Sequence, residues 1–448
     1  MKAVIVAAGK GTRLSTTETL PKPLTPILGV PLLVRVIRNA LLGGANKVVV
    51  VLGYRAEEIQ KELQRLPDNI KKNIEIIFNK RFEESNGLSI LSAEEIVKDE
   101  DFLVLMSDHL APPTVISSLI DFHVPVGGAV LAVDTRINEI PDLDDATKVV
   151  TVTEESCLKI KKIGKTLNEF DSVDMGCFKM TQGIFSALRE SESRGDTSIS
   201  GAIKILSERG VMNALIIDNA EWVDVDTPEM IPYAENFLLS QLVKGRDGPV
   251  SRLFNRPVSL FFTRRLARIN FSPNAGTLLA VLFGVSAALL IGTKHFILGG
   301  IFVHLHSVVD GIDGEIARLK FKTSYLGAWL DRHGDMLGEY SIFLGIAYGT
   351  GEWIWTFGAL LTNILYVGAG DSLTALGLIL GETWKPAKTL LPQFARCISR
   401  DVMLFLLAIL TLLGDPEIFL PILVLGRGAY LLIQSFYFGK ATNVLRKL

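Results

Sequence analysis

The sequence predicts two domains of different fold class: an α/β domain with a Rossmann-like mixed sheet, followed by an all-α transmembrane domain of six helices. The first 245 residues alternate charged and apolar segments as a soluble protein does, whereas the rest of the chain contains long uncharged runs. The 448 residues exceed one ordinary domain, and a formal net charge of −2 gives no indication of nucleic-acid binding. Two domains are therefore the minimum, and no nucleic acid is expected among the partners.

The first domain is predicted from short runs of β-branched residues with helical stretches between several of them. Six runs are predicted strands: Lys2–Ala7, Lys47–Leu52, Ile74–Phe78, Phe102–Met106, Ala129–Val133 and Asn213–Ile217. Leu32–Leu42 and Arg55–Leu66 have helical patterns, and strands that alternate with helices indicate parallel pairing. We expect this domain to occupy residues 1–240.

A linker and a membrane-surface helix are predicted next. Gly245, Gly248 and Pro249 are typical of a linker. The stretch from Leu253 to Ile269 mixes basic and aromatic residues in a pattern that suits a helix lying along a membrane surface. We expect the linker and this helix to occupy residues 241–271, and the membrane domain to occupy residues 272–448.

Six apolar stretches in the last part of the chain are predicted to span a membrane. They are Ala275–Gly292, Phe296–Leu319, Tyr325–Tyr348, Trp353–Gly370, Asp401–Gly414 and Ile418–Gly439. The first and the fourth are uncharged runs of eighteen residues each, enough for nearly the full hydrocarbon thickness.

Basic residues cluster in alternate loops between these stretches. They are Arg264, Arg265 and Arg268, then Arg318, Lys320 and Lys322, then Lys385, Lys388, Arg396 and Arg400, and finally Lys440, Arg446 and Lys447. By the positive-inside rule these loops and both termini face the cytoplasm. We therefore expect a multi-pass protein of the cell membrane whose first domain and C-terminus are cytoplasmic.

Four aspartates lie within the predicted spans: Asp310, Asp313, Asp331 and Asp335. Each bare carboxylate at mid-bilayer costs about 2.5 to 3.5 kcal/mol, so a partner must neutralise them. The spacings i,i+3 and i,i+4 place each pair on one helix face, so two facing helices can converge all four on divalent cations. The alternative is a set of surface caps or a buried ion-pair cluster, but the flanks are too apolar for a solvated face. The predicted orientation puts this site toward the cytoplasm.

The full pattern resembles the signature of the CDP-alcohol phosphotransferases. Its positions are Asp310, Asp313, Gly314, Ala317, Arg318, Gly327, Asp331 and Asp335. The resemblance implies that the four aspartates hold two metals, that the nucleotide lies against Gly314, Ala317 and Arg318, and that Asp335 accepts the proton of an attacking hydroxyl. Arg318 is alternatively a snorkelling cation at the membrane edge. Asn274, in "SPNAGT", resembles the family's stretch before the first span and is also expected at the nucleotide.

A glycine-rich turn follows the first predicted strand, in "AAGKGTRL", and "LPKPL" comes soon after it. Gly9 and Gly11 let backbone N–H groups approach a triphosphate, while Arg13 and Lys22 supply positive charge for a departing pyrophosphate. These motifs resemble the opening of the sugar-phosphate nucleotidyltransferases. The resemblance implies nucleotide binding at Ala8, Gly9, Gly11 and Thr12, with Arg13 and Lys22 as catalytic residues.

Later motifs of the first domain resemble the same family. Asp108 ends a predicted strand in "LVLMSDHL", and Asp226 precedes Thr-Pro in "WVDVDTPEM". Both resemble the family's magnesium-binding carboxylates, although Asp224 is an alternative to Asp226 because the two share a strand face. Asn86 in "SNGLS", and Asp174 with Gly176 in "DMGCF", resemble the segments around the base and the acceptor. We expect them to bind substrate.

The fusion of the two activities indicates that one half makes a CDP-alcohol that the other half consumes. It resembles bifunctional enzymes that couple inositol-1-phosphate cytidylyltransferase and di-myo-inositol-phosphate-phosphate synthase activities. The resemblance implies CTP, inositol 1-phosphate and CDP-inositol as ligands, Mg²⁺ (or Mn²⁺) in both domains, and a homodimer. Arg396 and Arg400 are expected to hold the anionic acceptor. The alternatives are a phospholipid head-group enzyme, and a transporter or receptor that senses nucleotide.

Overall fold

The computed structural model describes residues 1–14, 20–98, 100–154, 157–217, 221–243, 248–380 and 398–445. Side chains are described in the same ranges except at 369–380, 434 and 436–445. The chain divides into two compact units, Met1–Leu238 and Leu239–Leu448.

The first unit is built on strands that alternate with helices. Its strands are Lys2–Ala7 (β1), Pro26–Ile27 (β2), Val30–Pro31 (β3), Lys47–Leu52 (β4), Ile74–Phe78 (β5), Phe102–Met106 (β6), His109–Leu110 (β7), Ala129–Asp134 (β8), Lys148–Glu154 (β9), Cys157–Gly164 (β10), Ser172–Met180 (β11), Met212–Ile216 (β12) and Val223–Asp224 (β13). Its helices are Leu32–Leu42 (α1), Ala56–Gln64 (α2), Asp68–Lys71 (α3), Gly87–Leu91 (α4), Glu94–Val97 (α5), Pro113–Asp121 (α6), Gly183–Ser193 (α7), Ile199–Glu208 (α8) and Met230–Ser240 (α9), with short 3-10 turns at Lys22–Leu24 and Ile137–Glu139.

Within the described residues, nine strands form one mixed sheet in the order β5-β4-β1-β6-β11-β8-β12-β10-β9. The six strands predicted from the sequence all run in one direction, because β4, β1 and β6 pair in parallel, as do β5 with β4 and β8 with β12. Strand β11 runs antiparallel between β6 and β8. The antiparallel strands β9, β10 and β11 were not predicted, and they make the sheet mixed.

The sheet is buried on both faces, which explains why its central strands are almost uniformly apolar. One face packs against α7 and α8, where Phe102, Phe178 and Phe185 belong to a single buried cluster. The other face packs against α1 and α6 through a second cluster. The loops at the carboxyl ends of β1 and β6 are therefore held by a rigid core.

The second unit is helical. Its helices are Arg256–Arg268 (α10), Pro273–Gly292 (α11), Phe296–Leu319 (α12), Tyr325–Thr350 (α13), Trp353–Leu380 (α14), Arg400–Leu413 (α15) and Phe419–Leu445 (α16), with a π turn at Ser251–Asn255 and a 3-10 turn at Pro416–Ile418. Helices α11 to α16 cover the six predicted spans, and α14 continues to Leu380 where the sequence predicted an end at Gly370.

Three segments of the described chain are long and apolar enough to cross a membrane. They are Pro273–Gly292, Phe296–Leu319 and Pro416–Ile433, and Trp353–Gly368 is a shorter apolar helix. The number of spans, six, stays a prediction. Their apolar length indicates a membrane protein.

Helix α11 packs closely against α13 along a row of glycines. A Cβ added to Gly345 would lie 2.4 Å from the carbonyl oxygen of Ala288, and one added to Gly284 would lie 2.8 Å from the Cα of Gly338. The small residues let the two backbones touch, as is usual between membrane helices.

The variant Gly345→Ala tests this contact. The added methyl must push the two helices apart, so we expect a loss of about 1 to 3 kcal/mol, as for other overpacked sites. Thermal unfolding in detergent measures it. Gly428→Ala is the matched control, because a Cβ at Gly428 in α16 meets nothing within 4 Å. Equal melting temperatures for the two variants would contradict close packing at Gly345.

Candidate active sites

A cavity of about 230 Å³ lies at the carboxyl ends of β1 and β6 in the first unit. Parallel sheets commonly bind ligands at this edge. The lining residues are Val6, Ala7, Gly9, Gly11, Arg13, Lys22, Pro23, Met106, Ser107, Asp108 and Asp226. The cavity therefore brings together four residues predicted for nucleotide binding and catalysis and two predicted metal ligands. They are Gly9, Gly11, Arg13 and Lys22, and Asp108 and Asp226.

The turn after β1 requires glycine at position 11. Gly11 has φ +59°, and a Cβ there would lie 2.4 Å from the Cβ of Lys22. A Cβ at Gly9 would meet nothing within 4 Å, so that glycine leaves open space at the cavity wall. Ala8 is buried beneath the turn and Thr12 is exposed on it. The turn thus packs against the Lys22 side chain at Gly11 and leaves its backbone open to the cavity at Gly9.

Lys22 lies between two carboxylates. Its Nζ is 2.5 Å from Oδ2 of Asp108 and also donates to Oδ1 of Asp226. Burial alone would lower the pKa of Lys22, but the two carboxylates outweigh burial and raise that pKa well above its ordinary value. Arg13 donates to Oδ2 of Asp226 at 2.6 Å and also to Asp145. Two cations therefore face the carboxylates that were predicted to bind metal.

His109 also belongs to this cluster, although no sequence motif predicted it as a site residue. Its Nδ1 is 2.9 Å from Oδ1 of Asp108 and 3.6 Å from Oδ1 of Asp224, because β13 pairs with β7 so that Asp224 lies opposite His109. Burial lowers the pKa of His109, but Asp224 and Asp108 raise it to about 9. Burial raises the pKa of Asp224 to about 7. In the sequence, only the position of His109 directly after Asp108 indicated a role in the site.

One candidate metal site in the first unit consists of two carboxylates and a histidine. One ligand atom each from Asp108, His109 and Asp224 lie within 4.8 Å of one another. Asp226, which was preferred over Asp224 as a ligand, is instead engaged by Lys22 and Arg13. Carboxylate oxygens are the donors that Mg²⁺ and Mn²⁺ prefer, so the residues present fit such an ion.

Asp174 and Gly176 lie beside His109. Gly176 has φ +68°, and a Cβ there would lie 2.4 Å from the His109 ring. A register shift between Asp174 and Phe178 produces this local bend, and Oδ1 of Asp174 accepts the Gly176 N–H at 2.6 Å. Burial raises the pKa of Asp174 to about 6. Asn86, by contrast, is exposed, and its Oδ1 accepts the N–H of Ile199 at 3.1 Å, away from the cavity lining.

In the second unit, Asp310, Asp331 and Asp335 offer one oxygen each within 4.8 Å of one another. Arg400, at the start of α15, reaches this group from a third helix. Its guanidinium is 2.6 Å from Oδ2 of Asp310 and 2.9 Å from Oδ1 of Asp335, and it also donates to Glu339. A group made of carboxylate oxygens suits a hard divalent cation.

Asp313 is not in that group. Its carboxylate accepts hydrogen bonds from the Thr277 hydroxyl and from the Gly314 N–H. A Cβ at Gly276 would lie 2.9 Å from the Cβ of Asp313, so α11 passes directly against this turn of α12. Three of the four predicted metal ligands are therefore grouped, and the fourth is held by α11.

The remaining predicted residues surround these carboxylates to different degrees. Gly314, Ala317 and Arg318 are half-buried on the next turn of α12, and a guanidinium nitrogen of Arg318 lies 3.1 Å from a Cβ built on Gly314. Asn274 is exposed, and its Oδ1 is 3.9 Å from a Cβ built on Gly327. Arg396 lies outside the described residues.

A buried polar chain extends from Arg400 away from the aspartates. Glu339 accepts from Arg400, Asn363 Nδ2 donates to Glu339 Oε2 at 3.1 Å, and Arg427 donates to Asn363. Arg427 also lies over the Tyr366 ring, 4.8 Å from its centroid. Residues from α13, α14 and α16 thus support the Arg400 guanidinium, which belongs to α15.

Comparisons with known proteins match both units. The Nucleotidyl transferase family profile matches residues 2–241, and the CDP-alcohol phosphatidyltransferase profile matches residues 270–415. A protein of Thermococcus kodakarensis named bifunctional IPC transferase and DIPP synthase is 36% identical over 80% of this chain and 79% of its own length. Proteins with the same name from Rubrobacter xylanophilus and Aquifex aeolicus are 33% and 31% identical, each over 92% of this chain and over 91% and 92% of their own lengths.

This chain belongs to the family of bifunctional IPC transferases and DIPP synthases. As a member of that family it is an enzyme, with a nucleotidyltransferase unit followed by a helical CDP-alcohol phosphotransferase unit. A solved inositol-1-phosphate CTP transferase from T. maritima is 26% identical, with a TM-score of 0.43 and coverage of 51% of this chain and 90% of that one. The predicted fold class, apart from the number of membrane spans, and both family resemblances are confirmed.

The variant Asp174→Asn tests the burial of that carboxyl. Because burial raises the pKa of Asp174 to about 6, the native state holds its proton more tightly than the unfolded chain, whose carboxyl titrates near about 3.9. The resulting stability is present at low pH and is lost as pH rises through about 6. Asparagine keeps an acceptor for the Gly176 N–H without the charge, so the variant should exceed the wild type in unfolding free energy.

The margin should be larger at pH 8 than at pH 5, as measured by guanidinium unfolding with a chelator present. Asp144→Asn removes an exposed carboxylate in the same unit and serves as the control. A margin that does not change with pH would show that Asp174 is solvated.

Proposed function

We propose that the chain makes CDP-inositol from CTP and inositol 1-phosphate, and then transfers the phosphoinositol group to a second inositol 1-phosphate. The second step releases CMP and forms phosphorylated di-myo-inositol phosphate. One observation carries the proposal: relatives named for both activities match this chain along most of its length, across both carboxylate sites. Each of those sites contains the charged groups that its step needs.

In the first step, a phosphate oxygen of inositol 1-phosphate attacks the α-phosphorus of CTP. A phosphorus–oxygen bond to inositol phosphate forms while the bond to pyrophosphate breaks. Lys22 and Arg13 neutralise the charge that moves onto the departing pyrophosphate, and the backbone of the turn at Gly9 and Gly11 approaches the phosphates. No covalent intermediate is needed, because positioning and electrostatics supply the catalysis.

In the second step, a hydroxyl of the acceptor attacks the phosphorus that bears inositol in CDP-inositol, and CMP leaves. Asp335 accepts the hydroxyl proton. Arg400 already contacts Asp310 and Asp335, so it lies where the phosphate of an anionic acceptor would find a cation. Arg396 is proposed to share that role, and Gly314, Ala317, Arg318 and Asn274 to contact the nucleotide.

Mg²⁺, or Mn²⁺ in its place, is proposed for both units. Asp108 with Asp226 would hold it in the first unit, and Asp310, Asp313, Asp331 and Asp335 would hold it in the second. When bound, such an ion screens the phosphate charges and orients the phosphorus under attack. Asn86, Asp174 and Gly176 are proposed to contact the substrates of the first step.

The arrangement in the cell is also a proposal. Residues 1–240 would form the cytosolic domain, residues 241–271 the linker and surface helix, and residues 272–448 a domain of six spans. Alternating basic loops support a cytoplasmic aspartate site and cytoplasmic termini. A cytoplasmic second site would receive CDP-inositol from the compartment in which it is made. A homodimer is proposed from the family resemblance.

Mass spectrometry of products tests the substrate assignment. The purified protein is incubated with CTP, Mg²⁺ and one polyol phosphate at a time, with and without phospholipid. We expect CDP-inositol, CMP and a phosphorylated di-inositol diester from inositol 1-phosphate alone. A different polyol phosphate as the accepted substrate would overturn the choice of inositol. A lipid product in place of the soluble diester would instead indicate phospholipid head-group transfer.

Two single variants should separate the steps. Lys22→Gln should lower CDP-inositol synthesis by at least about 100-fold, because one charge-stabilising donor in the transition state is worth that much. Asp335→Asn should accumulate CDP-inositol and form no diester. Mixing the two proteins should restore diester synthesis, as followed by the same mass spectrometry.

Lys204→Gln and Asp415→Asn alter exposed residues outside both sites and should leave both steps unchanged. Diester synthesis by Asp335→Asn alone would refute its role as the base.

A further inference from the structure

The carboxylate of Glu315 is fully buried on α12, in the middle of the predicted aspartate signature but at one of its variable positions. Its side chain has 0% exposure. It accepts hydrogen bonds from Ser259 Oγ at 2.7 Å and Thr263 Oγ1 at 2.6 Å, and it is paired with Arg256. All three partners lie on α10, so one buried acidic group takes donors from two turns of a single neighbouring helix.

Helix α10 has two unlike faces. Its buried residues, Ser259, Thr263 and Ala267, recur every four positions and form the stripe that meets α12. The opposite face exposes large apolar side chains, among them Val258, Phe261 and Phe262. The polar contacts of the buried face restrict the rotation of the helix, because each is satisfied in only one geometry.

The contact fixes the rotation of α12. Successive helical residues turn by about 100°, so Glu315 points about 200° away from Asp313 and about 140° away from Asp310. The donors on α10 therefore contact the face of α12 that carries Glu315, and Asp310 and Asp313 lie on the opposite face. A second contact, from Asn255 Nδ2 to Ser307 Oγ at 3.0 Å, joins the π turn directly before α10 to α12, about two turns before Glu315.

We propose that Glu315 is a positioning residue for the phosphotransfer site, and that α10 sets through it the angle at which α12 presents Asp310 and Asp313. The inference rests on the proposed function for the second step. Catalytic geometry of this kind is sensitive, since a displacement of about 1 Å can cost about 100-fold in rate. Glu315 itself does not touch the reacting groups, because its carboxylate is enclosed by α10.

The test removes the hydroxyl donors while it keeps the ion pair. In the variant Ser259→Ala/Thr263→Val the shape of α10 is nearly unchanged, but Glu315 retains only Arg256 among these three donors. With added CDP-inositol, the turnover of the second step should fall about tenfold or more, with less change in the KM for CDP-inositol. The first step, measured on the same preparation, should stay within about twofold of the wild type.

Thr263→Ser keeps the hydroxyl and should leave the second step within about twofold. Arg265→Gln alters the exposed side of α10, where the arginine lies 3.6 Å over the Phe261 ring, and should also behave as the wild type. Glu315→Gln gives a second route to the same loss if it folds. Unchanged turnover in Ser259→Ala/Thr263→Val, or an equal loss in both steps, would overturn the positioning role.

Mn²⁺ binding provides a readout that does not depend on turnover. Electron paramagnetic resonance titration of free Mn²⁺ should show weaker binding to Ser259→Ala/Thr263→Val than to Thr263→Ser, because the aspartate oxygens are displaced in the first variant. If the wild type makes no diester but this difference is found, the proposed second reaction fails while the positioning role stands. If diester forms and Mn²⁺ binds equally to both variants, the positioning role fails alone.

Discussion

The second unit depends on the neutralisation of acidic side chains in apolar surroundings. The free-energy cost of burying an unpaired charge is far larger than the stabilisation from any single packing contact. Each carboxylate therefore needs a partner before its helix can be buried. Arg400 supplies that partner for Asp310, Asp335 and Glu339, and thereby ties α12 and α13 to α15. The aspartates are at once the chemical groups of the site and a reason for the helices to assemble.

Close packing of the helix backbones fixes the positions of these charged side chains. Gly276 lets α11 pass against Asp313, and the glycines at positions 284 and 345 bring α11 onto α13. Glu315 connects the rear of α12 to α10. Helix α12 is therefore held by contacts of different kinds, because α11 packs against Asp313, α10 binds Glu315 and Arg400 binds Asp310. Polar contacts add specificity here because each has one geometry in which its groups are satisfied.

Features encoded by neighbouring residues were predictable, and features that join distant residues were not. The directions of the parallel strands and the ends of α11 and α12 follow from local runs such as Lys2–Ala7 and Ala275–Gly292. The pairing of Arg13 with Asp145 spans 132 residues and has no local signature. The same holds for Glu315 with α10. Strand β10 was not predicted because it contains three lysines, Lys159, Lys161 and Lys162, so it resembles a polar loop. It forms a hairpin with β9 at the edge of the sheet.

The ammonium of Lys22 has a consequence for the resting state of the first unit. The ammonium lies between Asp108 and Asp226 and donates to both, so it partly neutralises the negative charge of those two acids before any ligand binds. A divalent ion held by the same oxygens would compete with the ammonium for them, and Lys22 would then be available to the phosphates of a ligand. The attraction of the cavity for a polyanion would therefore depend on whether these two acids have a counterion other than Lys22.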